Sequence, residues 1–139
     1  MKHTRDHIYR AILEGTAYGT NNIIATMKSA KYDVTSLVCC GGGSRDQLWL
    51  QIISDVSGLP IQTTEFLEAG ILGTAVIAAH GSGHYRTLEE AASNMVSFRD
   101  LIEPDLVNSE TYNFYFEKYK SLYLKLRDDM HDIARRASG

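Results

Sequence analysis

Apolar residues recur every three or four positions over the last third of the chain: Tyr112, Tyr115, Phe116, Tyr119, Leu122, Tyr123, Leu126, Met130 and Ile133. That is the period of one helix face. It predicts a strongly amphipathic helix from residue 109 onward, its aromatics packed in a core and its tail fraying where the sequence turns polar after Asp128. Near the other end, Ile8, Tyr9, Ile12, Leu13, Ala17, Ile24 and Met27 predict a long helix over residues 4–27 with a broad apolar face. Gly15 and Gly19 lie inside it, each costing up to about 1 kcal/mol against alanine, so a close neighbouring element is expected there. Between the two, a β-branched and apolar run predicts a strand over 35–40, followed by a helix over 45–57 that Gly58-Leu59-Pro60 ends. A short strand over 61–64 and a small-residue helix over 69–80 come next, the latter stopped by Gly81-Ser82-Gly83. Thr87 with Glu90 reads as a capping box opening a helix over 88–95, and an edge strand is expected over 96–102, ended before Pro104. Helices alternating with short strands indicate an α/β layered domain.

The junction at Gly41-Gly42-Gly43-Ser44 carries the candidate chemistry. A strand that turns through glycines into a helix N-terminus is one way to build an anion site, because bare backbone approaches a phosphate closely and the helix end offers free N–H donors. A plain tight turn uses the same residues. Ser44 and Gln47 fit a capping box, which places the helix start just after the glycines.

From Val38 to Pro60 the chain reads VCCGGGSRDQLWLQIISDVSGLP. This resembles the FGGY family of carbohydrate kinases, whose GGG-S/A-x-x-x-x-W-x-Q-x-x-A/S-D-x-x-G-x-P segment opens the nucleotide-binding part of the C-terminal domain. Glu68-Ala69-Gly70-Ile71-Leu72-Gly73-Thr74-Ala75 is similar to the family's E-A-x-x-L-G-x-A helix start. Gly81 to Tyr85, Leu88 to Ala92, Met95-Val96 and the tyrosines of the last helix follow in the family's order, so the likeness covers essentially the whole chain. It implies residues 1–139 are a partial C-terminal nucleotide-binding domain, the second half of an actin-like, ribonuclease-H-like ATPase fold, with a short sheet flanked by helices. It implies ATP and Mg²⁺ as cofactors and phosphorylation of a ketose or polyol, xylulose-type sugars first. The nucleotide-binding residues it implies are Gly41, Gly42, Gly43, Ser44, Asp46 and Gln47, with Gly42 and Gly43 against the α-phosphate and adenosine. Asp46 stands where relatives often place Asn or Ser near the adenine. It reads equally as an acceptor for the adenine amino group and as charge compensation at a helix start. Gln47 reads first as a capping partner and second as a neighbour of the adenine edge. Trp49 reads as packing, Asp55 as a structural hydrogen-bonding residue, and Glu68 and Gly73 as architectural, the glycine permitting close packing against the sheet.

Composition narrows the alternatives. The net charge of −3 argues against a nucleic-acid or anionic-membrane binder, and no apolar run approaches a membrane span. The two cysteines, Cys39 and Cys40, are adjacent in the first strand, which excludes a disulfide scaffold and points to a reducing cytoplasm. His3 and His7 share a helix face, but the five histidines do not cluster and no metal site is expected. The absence of GxGxxG argues against an unrelated dinucleotide module.

In complete relatives the sugar site, the catalytic Asp and an acidic glycine loop lie upstream. The chain is therefore expected to be a C-terminal fragment holding no catalytic residue and inactive alone, its sugar contacts supplied by a missing N-terminal domain. A second reading is a non-enzymatic nucleotide-binding or oligomerisation module left after loss of the catalytic half, dimerising through the aromatic C-terminal helix.

Overall fold

The computed structural model describes residues 3–99 and 101–137. Its elements run α1 (Arg5–Ser29), β1 (Leu37–Cys39), a 3₁₀ turn (Gly42–Arg45), α2 (Gln47–Ser57), β2 (Ile61–Thr63), α3 (Ala69–Gly81), α4 (Leu88–Met95) and α5 (Leu106–Ala137). β1 and β2 are parallel, with Leu37 opposite Ile61 and Cys39 opposite Thr63. Parallel neighbours need a crossover, and the glycine turn with α2 supplies it.

α2 is apolar almost all round, and Leu50, Ile52, Ile53, Ser54, Asp55 and Val56 are all buried. It is the centre of the core, with Ala17 and Tyr18 of α1, Ile61 of β2, and Tyr112 and Phe116 of α5 packed about it. Gly58 ends it with φ 64°, the left-handed conformation glycine adopts at no steric cost. Of the edge strand expected over 96–102, the described residues show only isolated antiparallel bridges, Thr64 with Phe98 and Ile61 with Ile102, and residue 100 lies outside them. β1 is likewise shorter than the expected 35–40, because β2 offers only three partners.

The broad apolar face read for α1 splits in two. Ala17 and Ile24 are buried, whereas Ile8, Tyr9, Ile12 and Met27 lie at the surface. α5 covers the middle of α1 instead. Tyr18 meets the rings of Tyr112, Phe116 and Tyr119 at centroid distances of 6.2, 6.3 and 5.7 Å. Glu14 Oε1 accepts from Arg10 Nε (2.8 Å) and from the Tyr112 hydroxyl (3.1 Å), and Arg10 Nη2 donates to that hydroxyl (2.7 Å). Of the two helix glycines, only Gly19 has the close neighbour expected: a Cβ there would stand 3.8 Å from the Tyr119 hydroxyl, and at Gly15 it would meet nothing within 4 Å. α5 stays helical through Ala137, past the polar switch after Asp128.

α3 packs chiefly on α4. The close sheet packing expected around Gly73 is not found, since a Cβ there would meet nothing within 4 Å. At α4 the Thr87 hydroxyl accepts from Glu90 N (3.1 Å), as expected. The Glu90 carboxylate accepts from Arg86 N (2.9 Å), one residue earlier than a capping box requires.

Burial in the aromatic cluster, with Glu14 and two other tyrosines adding to it, pushes the Tyr18 phenol up to about 12. The folded state therefore binds this proton more tightly than the unfolded chain, where the group titrates near 10. Its contribution is present below pH 10 and is lost as pH rises from about 10 to 12. Thermal unfolding against pH is expected to show a loss of stability over that interval that shrinks in Tyr18→Phe. Equal slopes for the two proteins would contradict it.

Candidate functional site

The glycine turn stands at the carboxyl end of β1, the edge of a parallel sheet where α/β folds hold their ligands. Gly41 has φ 80° and ψ −166°, a region essentially reserved for glycine. Its amide donates to Leu67 O (2.8 Å), in the loop after β2, and its carbonyl accepts from Ser44 N (3.2 Å) and Ser44 Oγ (2.6 Å). Those bonds curl the next residues into the 3₁₀ turn and bury Ser44 completely. The amides of Gly42 and Gly43 have no protein acceptor among the described residues, and Gly42 is exposed. Two of the amides at the bend are thus spent on the protein, and two remain to be used.

Ser44 does not cap α2. The N-cap is Asp46, whose Oδ1 accepts from Trp49 N (3.1 Å), so the box read from Ser44 and Gln47 is corrected. The earlier serine loses the competition because its hydroxyl already bonds the strained Gly41. Asp46 Oδ2 accepts from the Tyr9 hydroxyl (3.2 Å), and that bond, reinforced by the carboxylate's charge, holds the phenol above its usual range. Trp49 Nε1 donates to Thr16 Oγ1 (3.0 Å), and its ring lies against Gly43, where an added Cβ would come within 2.2 Å of Cζ3. The glycine requirement at 43 therefore arises from Trp49, as packing. At Gly42 a Cβ would meet nothing within 4 Å.

α1 braces the turn through Tyr9 and Thr16. Sequence reading missed both, since contacts 37 and 33 residues apart leave no periodic trace. Gln47 and Arg45 are exposed beside the turn. Asp55 is 2% exposed and accepts from Gln51 Nε2 (2.7 Å), Asp105 N (2.8 Å) and Asn108 Nδ2 (3.1 Å), a structural role as read. Thr64, buried where β2 ends, carries a hydroxyl with no hydrogen-bond partner among the described residues. Cys39 and Cys40 are free thiols, and burial, then the neighbouring Cys40, raises the Cys39 thiol. No three His, Cys, Asp or Glu among the described residues come together in a metal-holding group. No helix among them is long and apolar enough to cross a membrane.

The glycine turn lies on open surface, and a groove of about 430 Å³ lies elsewhere, between Asn22 of α1 and Tyr119, Lys120, Tyr123 and Leu124 of α5. Chemically, the turn offers two free backbone donors, a carboxylate with both oxygens already accepting, and an exposed amide side chain.

Residues 1–82 match the model of the C-terminal domain of the FGGY family of carbohydrate kinases. Xylulose kinase of Staphylococcus epidermidis is 27% identical over 132 residues, covering 95% of this chain and 27% of that protein. Xylulose kinase of Bacillus subtilis is 31% identical over 126 residues, covering 91% and 25%. Among solved structures, xylulose kinase from Rhodospirillum rubrum superposes with a TM-score of 0.80 at 27% identity, covering 94% of this chain and 27% of that one. The chain spans about a quarter of the length of these relatives.

Proposed function

The chain belongs to the FGGY family of carbohydrate kinases, and from that premise we propose that it forms the adenosine and α-phosphate end of the ATP site in an enzyme phosphorylating a ketose or polyol, xylulose-type sugars first. Its fold is part of the C-terminal actin-like ATPase domain. The observation that carries the site assignment is the pair of unspent amides at Gly42 and Gly43 on an exposed bend. Backbone N–H groups at a helix start suit a phosphate oxygen in both geometry and partial charge.

In this reading Gly41 and Ser44 shape the turn and Gly42 and Gly43 donate to the α-phosphate. Asp46 and Gln47 flank the adenine, the Asp46 carboxylate accepting from the adenine amino group with lone pairs that Trp49 and Tyr9 leave free. No three His, Cys, Asp or Glu among the described residues come together to hold a metal ion, and Mg²⁺, bound with ATP, would supply charge neutralisation on the phosphates. Transfer to a sugar hydroxyl also needs a positioned carboxylate base. The one carboxylate at the turn, Asp46, is occupied as a cap.

These 139 residues alone are accordingly expected to bind adenine nucleotide weakly, with no opposing wall to bury it, and not to turn over. An ATP titration followed by NMR should move resonances centred on residues 41–47. Shifts elsewhere, or none at millimolar nucleotide, would overturn the site. ADP release in the presence of sugar would overturn the expected inactivity.

A further inference from the structure

The stripe on α5 keeps a stricter period than an ordinary amphipathic helix. Tyr112, Phe116, Tyr119, Tyr123, Leu126, Met130, Ile133 and Ala137 alternate steps of four and three without a break, the a/d spacing of a coiled coil. The first part of the stripe is used inside the molecule. Glu14 meets Tyr112, Tyr18 meets Phe116 and Tyr119, and Gly19 approaches Tyr119, so α1 and α5 run side by side in the same direction. Further along, α1 turns polar at Thr26 and Ser29 and ends, while α5 continues to Ala137. From there the same stripe has no cover: Leu126 is 48%, Met130 53% and Ile133 70% exposed.

We propose that the distal half of α5 pairs with that of a second copy of this chain, in an antiparallel two-helix contact. The charges beside the stripe set the occupant and the register. Arg127 pairs with Asp128, and Arg135 with Asp132, within the helix. Asp129 and Arg136 flank the stripe on its g positions and enter no ion pair among the described residues. Antiparallel helices bring g positions together. Seating Met130 of one copy on Ile133 of the other, and Leu126 on Ala137, sets Asp129 of each beside Arg136 of the other. Sliding one heptad along, to centre the contact near Asp128, opposes Asp129 to Asp129 and Arg127 to Arg127, which charge repulsion disfavours. The surface is thus complementary to itself in one register. The contact is short, so association is expected to be weak, with half-dimerisation on the order of 100 µM. The inference is independent of what the glycine turn binds.

Sedimentation of the full chain over a concentration series tests it. The wild type is expected to move from monomer to dimer, and Ile133→Glu to stay monomeric with unchanged helicity. Asp129→Arg alone and Arg136→Asp alone should each weaken self-association roughly tenfold, by opposing like charges. Mixing those two variants should restore a heterodimer of wild-type affinity, since each then meets its opposite. Three outcomes overturn the proposal: a wild type that stays monomeric at millimolar concentration, which leaves the stripe to a different polypeptide; a dimer that survives Ile133→Glu; or a mixture no tighter than its components.

Discussion

Replacing Asp55 with alanine is expected to cost about 3 kcal/mol of folding stability and to lower the melting temperature by about 10 °C. This carboxylate is almost fully buried and receives three hydrogen bonds: one from its own helix, and two from the segment that starts α5. Asp105 is itself the cap of α5, its Oδ1 accepting from Val107 N (2.9 Å) and Asn108 N (3.3 Å). Asp55 therefore holds the capping residue by its amide, and Gln51 adds a bond from Nε2 to Glu103 O (2.9 Å). Removing Asp55 leaves several donors without an acceptor inside the protein, which costs more than the bonds themselves contribute. Asp105→Ala removes only the cap and should cost about 1 kcal/mol. Chemical denaturation of the two variants separates the roles, and hydrogen exchange at Asp105 and Val107 should accelerate in Asp55→Ala. A loss for Asp55→Ala no larger than that for Asp105→Ala would refute the latch.

Asp55 also shows why a family pattern and a single helix can be read from residues while their purposes are harder. Its position near the end of an apolar helix made a structural role legible. Its partners are about fifty residues away and were not. The helices themselves were legible from local signals, the 3.6-residue period in α1 and α5, small residues with a glycine stop in α3 and a capping pair in α4, and all five lie where those signals put them. Gly58 followed by Pro60 marked the end of α2 for a local reason, since nothing distant can make proline continue a helix.

The failures share one cause. Which apolar face of α1 is buried depends on where α2, its main neighbour, and α5 lie, and Ile8 and Ile12 are as apolar as Ala17. The cap of α2 was misread because Ser44 and Asp46 are both good capping residues, and the choice rests on Gly41's unusual backbone, which pulls the Ser44 hydroxyl back toward its carbonyl. Of the strand expected over 96–102, the described residues show only isolated bridges at Phe98 and Ile102, a pairing set by Thr64 and Ile61 far away in the chain. The bracing of Asp46 by Tyr9 is a meeting of two surfaces, and no spacing rule encodes it.

The glycines at 42 and 43 look alike in sequence, yet the structure expects opposite consequences from changing them. Gly43→Ala places a Cβ 2.2 Å from Trp49 Cζ3, 3.0 Å from Cε3 and 3.2 Å from Cη2. The ring cannot swing away without giving up its bond to Thr16, so the variant is expected to lose about 2 kcal/mol. Adding Trp49→Leu should recover part of that loss, because the clash disappears with the ring. Gly42→Ala meets no atom within 4 Å, and its φ lies outside the left-handed region. Its stability is expected to stay within about 0.5 kcal/mol of the wild type. If Gly42 is where a phosphate oxygen approaches the backbone, however, the new methyl group stands in the way, and ATP affinity should fall at least roughly tenfold. Measuring melting temperature and ATP affinity on the same two variants separates packing from recognition. Gly43→Ala should fail first by unfolding, Gly42→Ala by binding alone. An unimpaired Gly42→Ala would remove the bare backbone at 42 from the nucleotide site and leave the turn a matter of chain geometry.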